Sequence, residues 1–221
     1  DLRWGNVDAV LAMIRKIAGR EGIGDLAAGG VKAVSREIGR DSQQFAIHVK
    51  GLELAAHNVH VNPPRALCYA SSNRGACHLS GDDVAHQNFV AMVDSLGLCL
   101  FASDHNKWFF PGMSKQKIAD LMTAITGSTW TEASLLEAGE RIYNLEKLFN
   151  FREGFRRQDD VMPARFFNEP LTVGKKAGKV LDRDEFNRMM DNYYIERGWD
   201  PVTTRPGDAK LNQLGLESIR L

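Results

Sequence analysis

Two short phrases hold the side chains best suited to chemistry. Arg74, Cys77 and His78 crowd together in Ser-Ser-Asn-Arg-Gly-Ala-Cys-His, and Cys99 closes the phrase Asp94-Ser95-Leu96-Gly97-Leu98-Cys99. The forked guanidinium of Arg74 suits bidentate binding of a phosphate, although an arginine in a glycine-containing turn is most often solvated. His78 is the side-chain type best tuned to exchange a proton near neutral pH, although a lone histidine is more often a satisfied structural residue. Cys99 lies among Leu98, Leu100 and Phe101. A free cysteine in such company is ordinarily a small buried hydrophobe. Its functional reading is a thiolate ligand to an iron–sulfur cluster, which needs four such ligands. Asp94 precedes Gly97, a natural helix C-terminal cap. The helix dipole prefers a cation there, so this acid hints at a partner that donates hydrogen bonds.

Composition narrows the field. The chain has 221 residues, with 28 Lys+Arg balanced by 28 Asp+Glu. That length can bury a real core, and no block of like charge suggests a nucleic-acid or membrane surface. The apolar runs are shorter than a membrane span, and no signal peptide is visible. Three irregularly spaced cysteines argue against a disulfide framework and for a reducing, cytoplasmic setting. His48, His57, His60, His86 and His105 show no metal-ligand spacing and read as structural or surface residues. No glycine-rich phosphate loop and no Ser-His-Asp order appears.

Helices must position the two phrases. Asn6 can cap a helix along which Val7, Val10, Leu11, Ile14 and Ile17 repeat, and Asp25 a second running through Val34 to Ile38. Within the second, Gly29-Gly30 costs helix propensity and suggests close approach by another backbone. Phe45, Ile47 and Val49 alternate with Ala46, His48 and Lys50 as in a short strand. A short helix from about Pro64 carries Cys68 and Tyr69 toward the Arg74–His78 turn. Further helices are expected from Val84 to Leu96, from Ser114 to Gly127, from a Thr129–Glu132 capping box to Phe149, and from Asp182 onward, with a last one in the tail. The stretch from Arg152 to Pro170 reads as a loop. Strand content is too low for an α/β sheet. The fold class predicted is mainly α, with a helical domain over 1–110 bearing both phrases and a helical C-terminal domain over 111–221. The core is expected from the helices around Ile14, Val34, Val93, Leu121, Leu145 and Met189.

Several phrases, in this order, resemble the C-terminal part of the tungsten-containing aldehyde:ferredoxin oxidoreductase family: LRWGN, IAGREGIGDLAAGGVKA, VKGLEL, YASSNRGACH, DSLGLC, FREGFRRQDDVMPARFFNEP and YYIERGWDP. The resemblance implies irregular helical domains facing a bis-pterin tungsten (or molybdenum) cofactor and a [4Fe-4S] cluster, both complete only in a longer parent chain. By that match Asp94 accepts hydrogen bonds from a pterin ring and the backbone of Leu98 and Leu100 borders it. Arg74 contacts the pterin cofactor, His78 lies beside the tungsten as proton donor or acceptor, and Cys99 supplies the fourth cluster thiolate. The implied reaction oxidises a small aldehyde to a carboxylic acid and passes electrons through the cluster to ferredoxin, with homodimerisation possible in the family. An alternative is the tungsten subunit of an aromatic acyl-CoA reductase; another is a cofactor-free helical fragment inactive on its own. The sequence also departs from the family. The three other cluster cysteines, the first Asp-x-x-Gly-Leu phrase and the glutamate near the metal are absent from it. Ser80 stands where a basic pterin-contacting residue is expected, Ala28 replaces an acid, and the interval from His78 to Cys99 is short.

Overall fold

Asn6 starts the first helix as its side chain predicts: the oxygen accepts from the Ala9 amide at 3.1 Å, and α1 runs Val7–Gly19. The computed structural model describes residues 2–103 and 112–219, so His105 lies outside the described residues. After α1 come α2 (Ile23–Ala27) and α3 (Gly30–Ile38), then the two-residue antiparallel strands β1 (His48–Val49) and β2 (Leu52–Glu53). Helices α4 (Pro63–Ser71), α5 (Val84–Ser95), α6 (Lys115–Thr126) and α7 (Glu132–Arg152) follow. The chain continues through α8 (Arg165–Asn168) and α9 (Arg183–Arg197) to α10 (Asp208–Gln213). The molecule is mainly α, as expected.

Several local expectations need correction. The Gly29-Gly30 pair divides the expected second helix in two. What approaches it is a side chain and not a backbone: Glu53 Oε1 accepts from the Val31 amide at 2.8 Å. The strand expected from Phe45 is shorter, because Ser42–Phe45 forms a 3-10 turn that leaves Phe45 exposed. The capping box of α7 uses Thr131 and Ser134, with Ser134 N to Thr131 Oγ1 at 3.1 Å and Thr131 N to Ser134 Oγ at 2.8 Å. The stretch read as a loop contains a 3-10 turn, Arg157–Asp159, and α8.

The main core gathers Tyr69 and Ala70 of α4, Ala91 of α5, Tyr143 of α7, and Met190, Tyr193 and Tyr194 of α9 around Trp199. It therefore draws on residues from both sides of position 110. The other side of α5 packs Phe89, Val90 and Val93 against Leu100, Ile118 of α6 and Leu135 of α7. Helices α5 and α7 touch so closely at Gly139 that a Cβ there would collide with the Asn88 carbonyl. Of the expected core markers, Val93 is fully buried, whereas Val34 and Met189 are only half-buried. Ile14 (55% exposed), Leu121 (48%) and Leu145 (45%) face out, and α1 buries no residue at all. Apolar periodicity reveals that a helix has an apolar face; it does not say that this segment of chain covers it.

Two buried polar assemblies lock the core. Asp160 accepts from Lys50 Nζ at 2.7 Å, Lys147 Nζ at 3.1 Å and the Tyr194 hydroxyl at 2.9 Å. Burial pushes its carboxyl up, but the two ammonium groups outweigh this and hold it below the usual range. Arg197, with no exposed surface, donates to Gln87 Oε1 at 2.6 Å and Tyr193 Oη at 3.2 Å and lies 4.1 Å over the Tyr143 ring. Neutral acceptors and ring faces satisfy this buried charge.

Candidate functional site

Asp94, Gly97 and Leu98 belong to the way α5 ends. Gly97 adopts φ +68°, its amide donates to Asp94 O at 3.0 Å, and the Leu98 amide donates to Val93 O at 3.2 Å. These are the two bonds of a Schellman closure, which favours glycine in the left-handed position and an apolar residue after it. Leu98 and Leu100 accordingly pack with Val93 and Phe89, and Cys99 between them is left exposed. The buried-hydrophobe reading of Cys99 thus fails, because its two leucine neighbours take the inward positions.

The carboxylate of Asp94, unfavourably placed at the carbonyl end of α5, finds a cation across the turn. Arg74 Nη1 stands 3.1 Å from its Oδ2, with the two side chains 44% and 45% exposed. The loop that presents Arg74 is pinned from several sides. Lys50 Nζ donates to the carbonyls of Ala70 (2.5 Å) and Ser72 (3.1 Å). Asn73 Nδ2 donates to Tyr143 O at 3.0 Å, and Asn150 Nδ2 donates to Asn73 O at 2.8 Å, fastening the loop to α7. Farther along, Arg65 Nη1 donates to His78 O at 2.8 Å. Ser80 is buried with its hydroxyl 2.8 Å from Cys77 O, so a basic residue here would have to abandon both bond and position. The residues from His78 to Cys99 are all described, and α5 with its two turns spans the short interval.

A narrow polar cleft opens between these elements, lined by Arg74, Asp94, Ser80, Gln87, Tyr143 and Glu146. Glu146 comes from α7, and partial burial pushes its carboxyl above the usual range, opposed by its hydrogen bond from Asn73 Nδ2 at 3.2 Å. His78 and Cys99 do not line this cleft. His78 is half-buried beside His57, with ring centroids 5.0 Å apart. Burial first, then His57 and Arg65, hold the His78 imidazole below its usual pKa, while Asp82 opposes them. Leu79, next to His78, packs on the same cluster as Leu98 and Leu100. The thiol of Cys68 is of another kind: buried, and pushed up to about 12 chiefly by that burial, it is inert.

Of the residues singled out in the sequence, the structure brings Arg74 and Asp94 together and leaves His78 and Cys99 outside their cleft. His57, read as a structural or surface histidine, lies against His78, and Glu146, which was passed over, lines the cleft. Neither has a local signal, since each joins the site through tertiary contact. Among the described residues no group of three or more His, Cys, Asp or Glu could hold a metal. Chemically, the arrangement is a rim: a guanidinium and a carboxylate meet half-exposed at a cleft mouth, and one accessible thiol stands on a rigid cap. These residues fit one edge of a large polar cofactor, and Cys99 could give a cluster one ligand of four. No helix among the described residues is long and apolar enough to cross a membrane.

A family model described as aldehyde ferredoxin oxidoreductase, domains 2 and 3, matches residues 1–216. The tungsten-containing aldehyde ferredoxin oxidoreductase of Pyrococcus furiosus is 33% identical over 240 residues, covering 97% of this chain and 38% of that protein. From the same organism, an aliphatic sulfonate oxidoreductase, WOR-like subunit, is 30% identical over 233 residues, covering 98% of this chain and 36% of its own. Among solved structures, the active site complex BamBC of benzoyl coenzyme A reductase with 1,5-dienoyl-CoA shares the fold. Its TM-score is 0.75 at 20% identity, over 98% of this chain and 40% of that one. The chain therefore spans under two fifths of the length of the curated relative from P. furiosus that carries the tungsten name.

Proposed function

The chain belongs to the aldehyde ferredoxin oxidoreductase family. On that premise we propose that it forms the C-terminal, cofactor-facing part of a cytoplasmic tungsten (or molybdenum) pterin oxidoreductase. The enzyme oxidises a small aldehyde and water to a carboxylic acid, releasing two protons and passing two electrons by way of a [4Fe-4S] cluster to ferredoxin. The observation that carries this reading is the meeting of Arg74 and Asp94 at 3.1 Å beside a rigid cap that exposes Cys99. When bound, the metal–pterin centre supplies the two-electron acceptor. In this proposal Arg74 offers the cofactor charge-assisted donors and Asp94 offers the pterin ring an acceptor. The backbone of Leu98 and Leu100 walls the edge of the site. Cys99 provides the single cluster thiolate of this segment. His78, whose pKa is held below the usual imidazole value first by burial and then by His57 and Arg65, takes or gives a proton near the metal. A second reading, a tungsten subunit that reduces an aromatic acyl-CoA, keeps the same fold, and the fold likeness to the benzoyl coenzyme A reductase complex supports it.

The test is an assay of the full-length protein, purified anaerobically from cells supplied with tungstate. Aldehyde-dependent reduction of a viologen dye is the expected result. Metal-loaded protein that ignores aldehydes and turns over an aromatic acyl-CoA would install the second reading in its place.

A further inference from the structure

His57 is exposed, yet it is not free to swing. Its Nδ1 lies 2.6 Å from the hydroxyl of Tyr69, a residue with no exposed surface. Its ring lies 5.0 Å from that of His78, with the planes inclined at 55°. We propose that His57 and His78 form a coupled imidazole pair holding one exchangeable proton at the edge of the site, with Tyr69 as the positioning residue that keeps His57 against His78. The proposal rests on the reading of His78 as the proton-handling group.

The surroundings favour a shared proton. An exposed histidine ordinarily samples several rotamers, whereas one bonded to a buried phenol is held in place. Burial keeps the Tyr69 phenol above its ordinary pKa, so the hydroxyl stays protonated. It can donate to a neutral ring nitrogen and accept from a protonated one, so the bond survives either state of His57. The other ionisable groups around the pair are Arg65, Asp82, Cys68 and Cys77. Arg65 and Asp82 largely cancel, being joined at 2.9 Å, and Cys68 stays a neutral thiol. Of the charges around His78, the neighbouring His57 ring then acts most strongly, second only to burial. Protonating one ring opposes protonation of its neighbour, so the pair takes one proton first and a second only at lower pH. Because His57 is exposed and His78 half-buried, a proton leaving His78 has an acceptor already facing solvent.

The test follows the ring nitrogens of both histidines by NMR as the full chain is titrated through the acid and neutral range. Two variants are compared, His57→Gln and Tyr69→Phe, each checked by circular dichroism for an intact fold; Tyr69→Phe keeps the buried ring. The expected result is that His57→Gln raises the midpoint of His78 by about half a pH unit, as unit charges about 5 Å apart in a water-like medium should. Tyr69→Phe should move the ring signals of His57, whose Nδ1 loses its hydroxyl partner, while leaving those of His86 in place. A folded His57→Gln variant with an unmoved His78 midpoint overturns the pair. So do wild-type histidines that titrate independently. The readout separates this proposal from the aldehyde reading. A coupled pair in a loaded enzyme inert to aldehydes sinks only the aldehyde reading, and uncoupled histidines in an active enzyme sink only the pair.

Discussion

Arg74 Nη1 stands 3.1 Å from Asp94 Oδ2, tying the loop after α4 to the last turn of α5. Ion pairs this exposed contribute only about 0.2–1 kcal/mol, so stability does not explain the arrangement. Position does: each side chain holds the other at the cleft mouth. Arg74→Ala should lower the stability of the chain by less than about 1 kcal/mol in urea unfolding. In the loaded full-length protein the same change should reduce pterin and tungsten content several-fold. Full cofactor content in that variant would remove Arg74 from the binding set.

The three thiols should separate by reactivity. Cys99 is exposed, Cys77 is partly covered, and Cys68 is buried with its thiol pushed up to about 12. Because the thiolate is the nucleophile, brief alkylation with iodoacetamide at mildly alkaline pH should label Cys99 first and leave Cys68 untouched until the chain unfolds. Peptide mass spectrometry reads the order directly. Early labelling of Cys68 would mean that the α4 end of the core opens readily.

What was legible in the sequence was local. Asn6, Ser114 and Asp182 cap the helices they were expected to cap, because a side-chain oxygen reaching an amide three residues on is a local event. Gly97 ends α5 by an equally local device, its left-handed backbone. The illegible part is what depends on pairing across the chain. Asp160 looked like one more loop charge, and only the fold brings Lys50 and Lys147 to it. His57 gained a role only when Tyr69 and His78 came beside it. The exposed face of α1 errs in the opposite direction, since a helical repeat there leaves no residue fully buried.

That contrast leads to stability predictions for three variants. Ile14→Ala, at a site 55% exposed, should change the stability of the chain by no more than about 0.5 kcal/mol. Leu135→Ala, at a site 2% exposed between α5, α6 and α7, should cost about 2–5 kcal/mol. Gly139→Ala should also destabilise strongly, because its new methyl would meet the Asn88 carbonyl and force α5 from α7. Urea midpoints for the three variants check the order. A large loss from Ile14→Ala would show that α1 is covered after all, for instance by a second copy of the chain.

The acid limb of stability should have two steps of different origin. His86 is held below its usual pKa, chiefly by burial, while Asp82 and Asp83 oppose; its Nδ1 accepts from the Asp82 amide at 3.2 Å. A depressed histidine binds its proton less readily folded than unfolded. As pH falls from about 6.5 the unfolded chain therefore takes up the proton first, and stability declines until the folded value is passed. His48 and His78 are shifted the same way, so His86→Gln should flatten this first step without abolishing it. The second step belongs chiefly to buried Asp160, whose folded pKa is also depressed, with the exposed and solvent-screened Glu169 and Asp200 shifted the same way. For a carboxylate that sign means stability present above the unfolded value of about 3.9 and lost as pH falls through the folded one. The second step should survive in His86→Gln. Asp160→Asn should shrink it to what Glu169 and Asp200 contribute, at a cost of about 3–5 kcal/mol near neutrality, because it leaves two buried ammonium groups facing one another. Urea midpoints measured against pH for wild type and both variants decide the matter. If His86→Gln loses stability as steeply as wild type between about pH 6.5 and 5, burial of that ring is not the source of the first step.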